Sequence, residues 1–285
     1  MTELKALKVG ILGATGAVGE QMMIVLAERN FPVAELRLFG SSRSAGSKLA
    51  FKGKEYEVEE ASLERMKGLD LLLGAADNDV AKKFLPDAAK LGVTVVDNSS
   101  AFRLDPEVPL VIPEVNPEDV KWSKGLIANP NCATIIGLTA IAPLHRKAKV
   151  KRLIASTYQA VSGAGKGGID ELEAEVKAPA GTPAPCKVFP YPIAYNLIPQ
   201  IGGFNDEGYT SEEMKMQNEG RKMLHDDNLL VSCTCVRVPI IRSHSEALTI
   251  EFENEISPEE ARELLKDAPG VRLWDEPEEK HYPMP

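Results

Sequence analysis

The sequence predicts an α/β fold in two domains, a doubly wound parallel-sheet domain followed by an α+β domain with a mixed sheet. Three observations support this prediction. The chain has 285 residues, which exceeds a typical single core. Strand-like and helix-like segments alternate up to Asn131, and beyond that residue long strand-like runs lie close together. We therefore expect domains at residues 1–131 and 132–285.

The strands and helices of the first domain follow one another in alternation. Residues 6–12 form a short apolar run with β-branched members, and residues 20–30 place Met22, Met23 and Leu26 at helical spacing. The remaining elements are expected as strands at residues 35–39, 70–75 and 93–96 and a helix at residues 79–91. This alternation is typical of a parallel sheet covered by helices on both faces.

The second domain starts with a long amphipathic helix, expected at residues 132–147. Its other elements are expected as strands at residues 150–160, 229–239 and 246–253 and helices at residues 168–177 and 258–266. Residues 179–199 combine prolines with Phe189, Tyr191 and Tyr195 and predict an ordered loop. The two neighbouring long strands near the C-terminus predict a mixed, largely antiparallel sheet.

The composition excludes several classes of protein. Hydrophobic residues make up 44% and charged residues 26%, as in ordinary soluble proteins, and the net charge of −9 disfavours nucleic acid and anionic membranes as partners. No apolar run is long enough to span a bilayer, and no signal peptide is evident. The four cysteines form no CxxC pair, and no residue spacing predicts a metal site. We expect a cytoplasmic protein with reduced thiols.

The segment GATGAVG lies between the first strand and the first helix. In this position Gly13 permits a tight turn, Gly16 lets the backbone approach a pyrophosphate, and Gly19 allows close helix–strand packing. The helix N-terminus adds N–H groups and the positive end of its dipole. The segment predicts a Rossmann-type nucleotide site, the alternative being an ordinary turn. Its residues are Gly13, Ala14, Thr15, Gly16, Ala17, Val18 and Gly19.

The residues after the second strand indicate which nucleotide would bind. An NAD enzyme usually places an acidic residue there to bind the ribose 2′-hydroxyl. This chain has Ser41, Ser42 and Arg43 instead. A guanidinium and hydroxyl groups favour a 2′-phosphate, and therefore NADP, over a simple polar surface loop.

A candidate nucleophile lies at the start of the second domain, in the segment NPNC. Cys132 begins the expected helix, where the helix dipole and N–H groups favour a thiolate. The side chain of Asn131 and nearby backbone N–H groups could stabilise an oxyanion. The alternative for a cysteine is a small buried hydrophobic residue, a description that fits Cys186, Cys233 and Cys235 better.

Seven segments together resemble the successive motifs of the aspartate-semialdehyde dehydrogenase family. They run in order from Gly13 to Leu248: GATGAVG, SSRSAG, NSSAFR, NPNCATI, YQAVSGAG, EEMKMQNEGRKM and RVPIIRSHSEAL. The resemblance implies a homodimer, sometimes a tetramer, joined through the second domain. Family members continue beyond the position of Pro285 into a GRIR-like strand, a DN-x-x-KGAA-like turn and a long helix, none of which is in this sequence.

The resemblance also implies roles for individual residues. Cys132 resembles the nucleophile that forms the thiohemiacetal and the acyl-thioester, Gln159 the residue that orients the intermediate, and His244 the acid/base. Ser162 and Gly163, in the YQAVSGAG motif, resemble cofactor-binding residues. For His244 the alternative is a structural histidine, which is also how we interpret the other three histidines.

A second group resembles the family's substrate-binding residues. Arg237 corresponds to the clamp on the substrate carboxylate, and Arg103 and Lys215 to the phosphate-binding pair. Glu212 corresponds to the contact with the substrate amino group, with Glu213 as the competing choice. On a helix Glu212 and Lys215 share one face. The alternative for these charged residues is a solvated surface position.

The family reaction implied is the NADPH-dependent conversion of L-aspartyl-4-phosphate into L-aspartate-4-semialdehyde, a step towards lysine, methionine and threonine. Two alternatives remain open. One is the sister enzyme N-acetyl-γ-glutamyl-phosphate reductase, which uses the same thioester chemistry. The other is an inactive nucleotide-binding protein without the family's C-terminal helix.

Overall fold

The computed structural model describes residues 5–179, 181–183 and 185–285. The chain forms two compact units, the first comprising the described residues up to Val111 together with Glu118–Pro130, and the second comprising Ile112–Pro117 and Asn131–Pro285. The segment Ile112–Pro117 belongs to the second unit, where Arg146 donates to the carbonyl oxygens of Glu114 and Val115 at 3.0 Å each. The expected functional domains at residues 1–131 and 132–285 stay a prediction.

The first unit is built on a seven-stranded sheet in the order β3-β4-β2-β1-β5-β6-β7 within the described residues. Its strands are β1 Leu7–Leu12, β2 Val33–Gly40, β3 Lys48–Phe51, β4 Lys54–Glu60, β5 Leu71–Gly74, β6 Thr94–Asp97 and β7 Leu126–Ala128. Its helices are α1 Ala17–Glu28, α2 Leu63–Met66 and α3 Asn78–Lys90. All neighbouring strands pair in parallel except β3 and β4, which form a hairpin. The predicted doubly wound parallel sheet is confirmed.

Strand β1 lies in the middle of this sheet because it is apolar on both faces. The side chains of the adjacent residues Ile11 and Leu12 point to opposite faces and are 0% and 1% exposed. The chain leaves β1 towards β2 on one side and later returns to β5 on the other, so the strand order reverses next to β1. Ligands of open α/β sheets bind outside the carboxyl ends of strands at such a reversal. The glycine-rich turn follows β1 at that end.

The second unit contains a three-stranded sheet in the order β10-β8-β9 within the described residues. Its strands are β8 Val150–Gln159, β9 Leu230–Arg237 and β10 Ser245–Phe252, and its helices are α4 Cys132–Ala148, α5 Gly165–Lys177, α6 Ser211–Leu224 and α7 Pro258–Lys266. The mixed sheet is confirmed, but the expectation that it is largely antiparallel is wrong, because β8 pairs antiparallel with β10 and parallel with β9. The chain passes through α5 and α6 between β8 and β9, and such a crossover permits parallel pairing.

Local sequence explains where α6 and α7 begin. Thr210 and Glu213 form a reciprocal capping box at the start of α6, with the Thr210 N–H donating to Glu213 Oε2 at 2.7 Å. Ser257 and Glu260 do the same at the start of α7. No helix among the described residues is long and apolar enough to cross a membrane.

The proline-rich segment expected as an ordered loop is held by two carboxylates of α5. Glu171 accepts the backbone N–H groups of Lys187 and Val188 at 2.8 Å and of Phe189 at 3.1 Å. Glu175 accepts those of Ile193 at 2.8 Å and Ala194 at 2.7 Å. These bonds satisfy backbone N–H groups of residues 187–194, which form neither a helix nor a strand.

Candidate active site

The central contact of the second unit joins Cys132 to His244. Cys132 is the first residue of α4 and is exposed. Its Sγ lies 3.2 Å from Nε2 of His244, a residue 112 positions further along the chain and directly before β10. Ser243 has a φ of 75°, an uncommon conformation for a residue other than glycine, immediately before the histidine. The candidate nucleophile and the candidate proton carrier are therefore within hydrogen-bond distance of each other.

A backbone group determines which nitrogen of His244 carries the proton. The N–H of Ala160 donates to Nδ1 at 3.1 Å. Because a backbone N–H can only donate, Nδ1 acts as the acceptor, and the proton of the neutral ring is on Nε2, facing the sulfur. Burial lowers the pKa of His244, and the charge of Arg237 lowers it further, against smaller opposing effects of the Ser243 backbone and Glu212. The ring is therefore neutral at pH 7.

Asn131 caps the helix that carries the cysteine. Its Oδ1 accepts the N–H groups of Ala133 at 3.0 Å and Thr134 at 3.2 Å. This fixes the orientation of the amide, so that Nδ2 points towards Glu212 Oε1 at 2.9 Å and lies 3.9 Å from the Cys132 sulfur. An amide donor is thus held beside the candidate nucleophile.

Glu212 connects several of the predicted site residues. Its Oε1 accepts from Asn131 and from Gln159 Nε2 at 3.0 Å, and its Oε2 accepts from Lys215 at 2.7 Å. Burial favours the neutral acid most strongly, yet Lys215 and the amide donors outweigh it and lower the pKa of Glu212. The carboxylate is therefore ionised. Glu213, the competing choice, instead accepts the N–H of Cys235 at 3.2 Å and forms the capping box of α6.

Arg237, at the end of β9, is only 6% exposed. Its Nη1 donates to the carbonyl oxygen of Ala160 at 2.6 Å. Burial lowers the pKa of Arg237, although nearby Glu212 counteracts this effect. A Cβ atom at Gly163 would lie 2.7 Å from Nη1, so this glycine makes room for the guanidinium. Ser162 and Gly163 belong to a 3₁₀ turn at Val161–Ala164, directly after β8.

The expected phosphate-binding residues lie in different units, and each is held locally. Arg103 of the first unit is buried and donates from Nε to Ser99 at 3.1 Å and from Nη2 to Asn98 at 2.9 Å, both through carbonyl oxygens. Lys215 of the second unit pairs with Glu212 on the same face of α6. This is the shared face that the spacing of the two residues predicts.

The glycine-rich turn of the first unit has the geometry that a phosphate-binding turn requires. Gly13 has a φ of 87°, and a Cβ there would lie 2.7 Å from the Ala75 carbonyl oxygen. A Cβ at Gly19 would clash with the Gly13 oxygen and with Ala14. Gly16 is the N-cap of α1, and within the described residues no side chain caps that helix. The turn therefore fits a dinucleotide pyrophosphate at the helix N-terminus.

Beside this turn lies a cavity of about 300 Å³ in the first unit. It is lined by Gly13, Gly40, Ser41, Ser42, Glu60 and Lys83, among others. Arg43 is exposed and is not one of the described residues that line the cavity. Glu60 ends β4, in register with Gly40 at the end of β2. The sequence offered no signal for Glu60, because this residue is one of several charged residues in its strand.

The other cysteines and histidines lie outside this arrangement. Cys233 and Cys235 are buried on one face of β9, with their sulfurs 3.7 Å apart. The expectation of a buried Cys186 is wrong, because this residue is exposed in the loop that α5 holds. Glu276, Glu279 and His281 converge at the surface of the described chain, but exposed acidic groups of this kind are common without a metal.

A buried carboxyl group lies two residues beyond the candidate histidine. The Glu246 oxygens have no hydrogen-bond partner among the described residues. A Cβ atom on Gly137, in the middle of α4, would lie 2.8 Å from Glu246 Oε2. Burial raises the pKa of Glu246 to about 8. The carboxyl group is therefore largely protonated at neutral pH.

A nucleotide-binding α/β unit and a second unit with a cysteine–histidine pair, a buried arginine and orienting amides define the class of nucleotide-dependent oxidoreductases. Residues 8–123 match the family described as semialdehyde dehydrogenase, NAD binding domain, and residues 141–285 match its dimerisation domain. The chain belongs to the aspartate-semialdehyde dehydrogenase family, which confirms the resemblance seen in the motifs. The family domains indicate a nucleotide cofactor and oligomerisation.

Individual relatives match almost the whole chain. The aspartate-semialdehyde dehydrogenase of Aquifex aeolicus is 53% identical over 283 residues, covering 98% of this chain and 83% of the relative. That of Bacillus subtilis is 46% identical, covering 99% and 84%. The crystal structure of aspartate semialdehyde dehydrogenase II complexed with ASA from Vibrio cholerae has a TM-score of 0.89 at 43% identity, covering 94% of this chain and 80% of that one.

Proposed function

We propose that this chain converts L-aspartyl-4-phosphate into L-aspartate-4-semialdehyde with NADPH, through a thioester on Cys132, in the biosynthesis of lysine, methionine and threonine. One observation carries the proposal. An exposed cysteine at the first position of a helix lies 3.2 Å from a histidine nitrogen, in a chain whose relatives are named aspartate-semialdehyde dehydrogenases. The proposal gives a chemical task to each neighbouring side chain.

The first step is acyl transfer to sulfur. The Cys132 thiolate, favoured by the N-terminus of α4, attacks the acyl carbon and forms a C–S bond. The C–O bond to phosphate then breaks, and phosphate leaves with the electron pair. The Asn131 amide, held beside the sulfur, stabilises the negative oxygen of the tetrahedral intermediate. The product of this step is an acyl-thioester on Cys132.

The second step is reduction of the thioester. When bound, NADPH supplies the hydride for this reduction. His244, with its proton on Nε2, donates a hydrogen bond to the oxygen of the thiohemiacetal. Hydride addition leaves the thiohemiacetal as its oxyanion, and collapse of this anion re-forms the C=O bond, breaks the C–S bond, releases the aldehyde and restores the Cys132 thiolate.

Five further residues bind and orient the substrate in this proposal. Arg237 pairs with the substrate carboxylate, and Gln159, held through Glu212, orients the intermediate. Glu212 contacts the substrate ammonium in addition to the two amides that it holds. Arg103 and Lys215 bind the phosphate group.

The proposed cofactor is NADP. The turn from Gly13 to Gly19 binds the pyrophosphate, Ser162 and Gly163 contribute backbone contacts, and Ser41, Ser42 and Arg43 bind the 2′-phosphate. Glu60 acts against this preference, because this acidic residue lines the same cavity as Ser41 and Ser42. In this proposal the exposed guanidinium of Arg43, together with Lys83 of the cavity, supplies the positive charge that favours NADP over NAD.

We propose a homodimer formed through the outer face of the sheet in the second unit, with a tetramer as the alternative. Ile154 and Tyr158 of β8 are large side chains on this face and are 47% and 44% exposed. Exposed apolar surface of this kind marks association sites. Light scattering on the purified chain measures the molecular mass and decides between dimer, tetramer and monomer.

The proposed activity is tested in the reverse direction. Aspartate semialdehyde, inorganic phosphate and NADP are mixed with the protein, and NADPH formation is followed by its absorbance. Reduction of NADP that depends on phosphate is the expected result. The same assay is run with N-acetylglutamate semialdehyde. Turnover of this compound but not of aspartate semialdehyde would support the sister enzyme. Binding of NADP without turnover of either compound would support an inactive nucleotide-binding protein.

A further inference from the structure

Glu219 lies on α6 and contacts the residue that precedes the nucleophile. It is only 2% exposed. Its Oε2 accepts the backbone N–H of Asn131 at 2.6 Å, across a separation of 88 positions in the sequence. A charge-assisted hydrogen bond of this length, closed to solvent, fixes the main chain at the start of α4.

The start of α4 needs such a partner from outside the helix. In a capping box, the side chain of the third helical residue accepts the N–H of the N-cap residue. The third residue of α4 is Thr134, whose Oγ1 instead lies 3.5 Å from Asn131 Oδ1. Glu219 supplies the acceptor that a local glutamate would supply in a capping box.

Two carboxylates of α6 hold Asn131 from the same side. Glu212 and Glu219 are seven positions apart, which places them two turns apart on one helical face. Glu212 accepts from the side-chain amide of Asn131, and Glu219 accepts from its backbone N–H. Both ends of the residue before Cys132 are therefore fixed.

We propose that Glu219 is a positioning residue that sets the place of Cys132 opposite His244 by accepting the Asn131 N–H. The proposal rests on the proposed thioester function. The property that matters is the length of the side chain, which brings the acceptor oxygen to the Asn131 N–H, rather than its charge. A second negative charge near Cys132 disfavours a thiolate, so an electrostatic role for Glu219 would act against the reaction.

Two substitutions separate the effect of the side-chain length of Glu219 from the effect of its charge. Glu219→Asp keeps the charge but withdraws the carboxylate by about 1.5 Å, out of hydrogen-bond range. Glu219→Gln removes the charge but keeps an acceptor oxygen at the original reach. We expect kcat of Glu219→Asp to fall roughly tenfold to hundredfold with the KM for semialdehyde unchanged, and Glu219→Gln to stay within about threefold of the wild type.

A measurement without substrate separates this proposal from the proposed function. Iodoacetamide alkylation of Cys132, followed against pH by mass spectrometry, requires neither cofactor nor substrate. Glu219→Asp should alkylate roughly tenfold more slowly at pH 7, with its pH profile displaced upwards, whereas Glu219→Gln should alkylate at least as fast as the wild type, with its pH profile unchanged or displaced downwards. Because this readout does not depend on turnover, it tests the positioning role even if the proposed reaction is wrong.

Glu171 provides the matched control. It is also a buried glutamate whose carboxylate accepts backbone N–H groups, but those groups belong to the loop beyond α5. Glu171→Asp should lower the melting temperature without changing the alkylation of Cys132. A wild-type profile for Glu219→Asp, or equal losses for Glu219→Asp and Glu219→Gln, overturns the proposal.

A third readout covers the case in which Glu219→Asp does not fold. The Asn131 amide proton of the wild type, observed by NMR, should be protected from exchange, and in Glu219→Gln it should stay protected but shift upfield. Rapid exchange of this proton in the wild-type protein overturns the proposal.

Discussion

Gly163→Ala tests how the guanidinium of Arg237 is positioned. The added Cβ would lie 2.7 Å from Arg237 Nη1, whereas carbon and nitrogen atoms that are not bonded approach to roughly 3.5 Å. Arg237 cannot simply move into solvent, because it is buried and bonded to the Ala160 carbonyl oxygen at 2.6 Å. The substitution should displace the guanidinium by roughly 1 Å or break this bond.

The size of the effect follows from the hydrogen bond to the substrate carboxylate that a displaced Arg237 guanidinium would lose. A hydrogen bond to a charged group contributes about 1.5–3 kcal/mol, and about 1.4 kcal/mol corresponds to a factor of ten in affinity. We therefore expect the KM for aspartate semialdehyde to rise roughly tenfold to hundredfold, with a smaller change in kcat. Steady-state kinetics in the reverse direction measure both constants.

Gly203→Ala is the control for this experiment, because a Cβ atom at Gly203 meets no atom within 4 Å. It should leave both constants unchanged. The KM for NADP is measured in parallel, since Gly163 is also a proposed cofactor residue. If Gly163→Ala changes only the KM for NADP, or changes nothing, then the reasoning about Arg237 is refuted.

Three other predictions concern the nucleophile, the cofactor and pH. Cys132→Ser should lose most turnover yet still bind NADPH in a fluorescence titration, because a serine hydroxyl is a far weaker nucleophile than a thiolate. Arg43→Ala should weaken NADP binding more than NAD binding in the same assay, because only NADP has the 2′-phosphate. The free energy of unfolding should fall between about pH 4.5 and pH 8, because folded Glu246 keeps a proton that the unfolded chain releases. Urea titrations should show this slope, at most about 1.4 kcal/mol per pH unit, and Glu246→Gln should remove it.

Each of these predictions has a clear contrary result. Near-wild-type turnover in Cys132→Ser would exclude the thioester. Equal losses of NADP and NAD affinity in Arg43→Ala would mean that Arg43 does not read the 2′-phosphate. Identical pH slopes for the wild type and Glu246→Gln would mean that Glu246 titrates normally in the folded protein.

The parts of the structure that depend on local sequence were predictable. Helix α7 was expected at residues 258–266 and is found at Pro258–Lys266, because its capping box and helical spacing are both local signals. The turn from Gly13 to Gly19 is local in the same way. The hairpin of β3 and β4 was not predicted, because its alternating apolar residues (Leu49, Phe51, Tyr56 and Val58) are separated by charged residues at the sheet edge and are easily mistaken for a polar loop.

Contacts between distant residues could not be read from the sequence. The resemblance suggested that Cys132 and His244 act together, but only the fold brings them to 3.2 Å. Glu219 lies within a motif that was recognised, seven positions after Glu212, yet nothing in the sequence shows that it reaches the backbone of Asn131. Backbone groups such as the peptide N–H of Ala160 carry no sequence signal at all, since every residue except proline has one.

Ala160 gives the site an unusual constraint, because the N–H and the carbonyl group of this one residue serve two different tasks. Its N–H holds the imidazole of His244, and its carbonyl oxygen holds the guanidinium of Arg237. With the roles proposed for Arg237 and His244, substrate selection and proton chemistry are therefore not separately adjustable. A change that moves Arg237 to accept a longer or shorter substrate will also turn the imidazole, so altered specificity and an altered pH optimum should appear together in evolved variants.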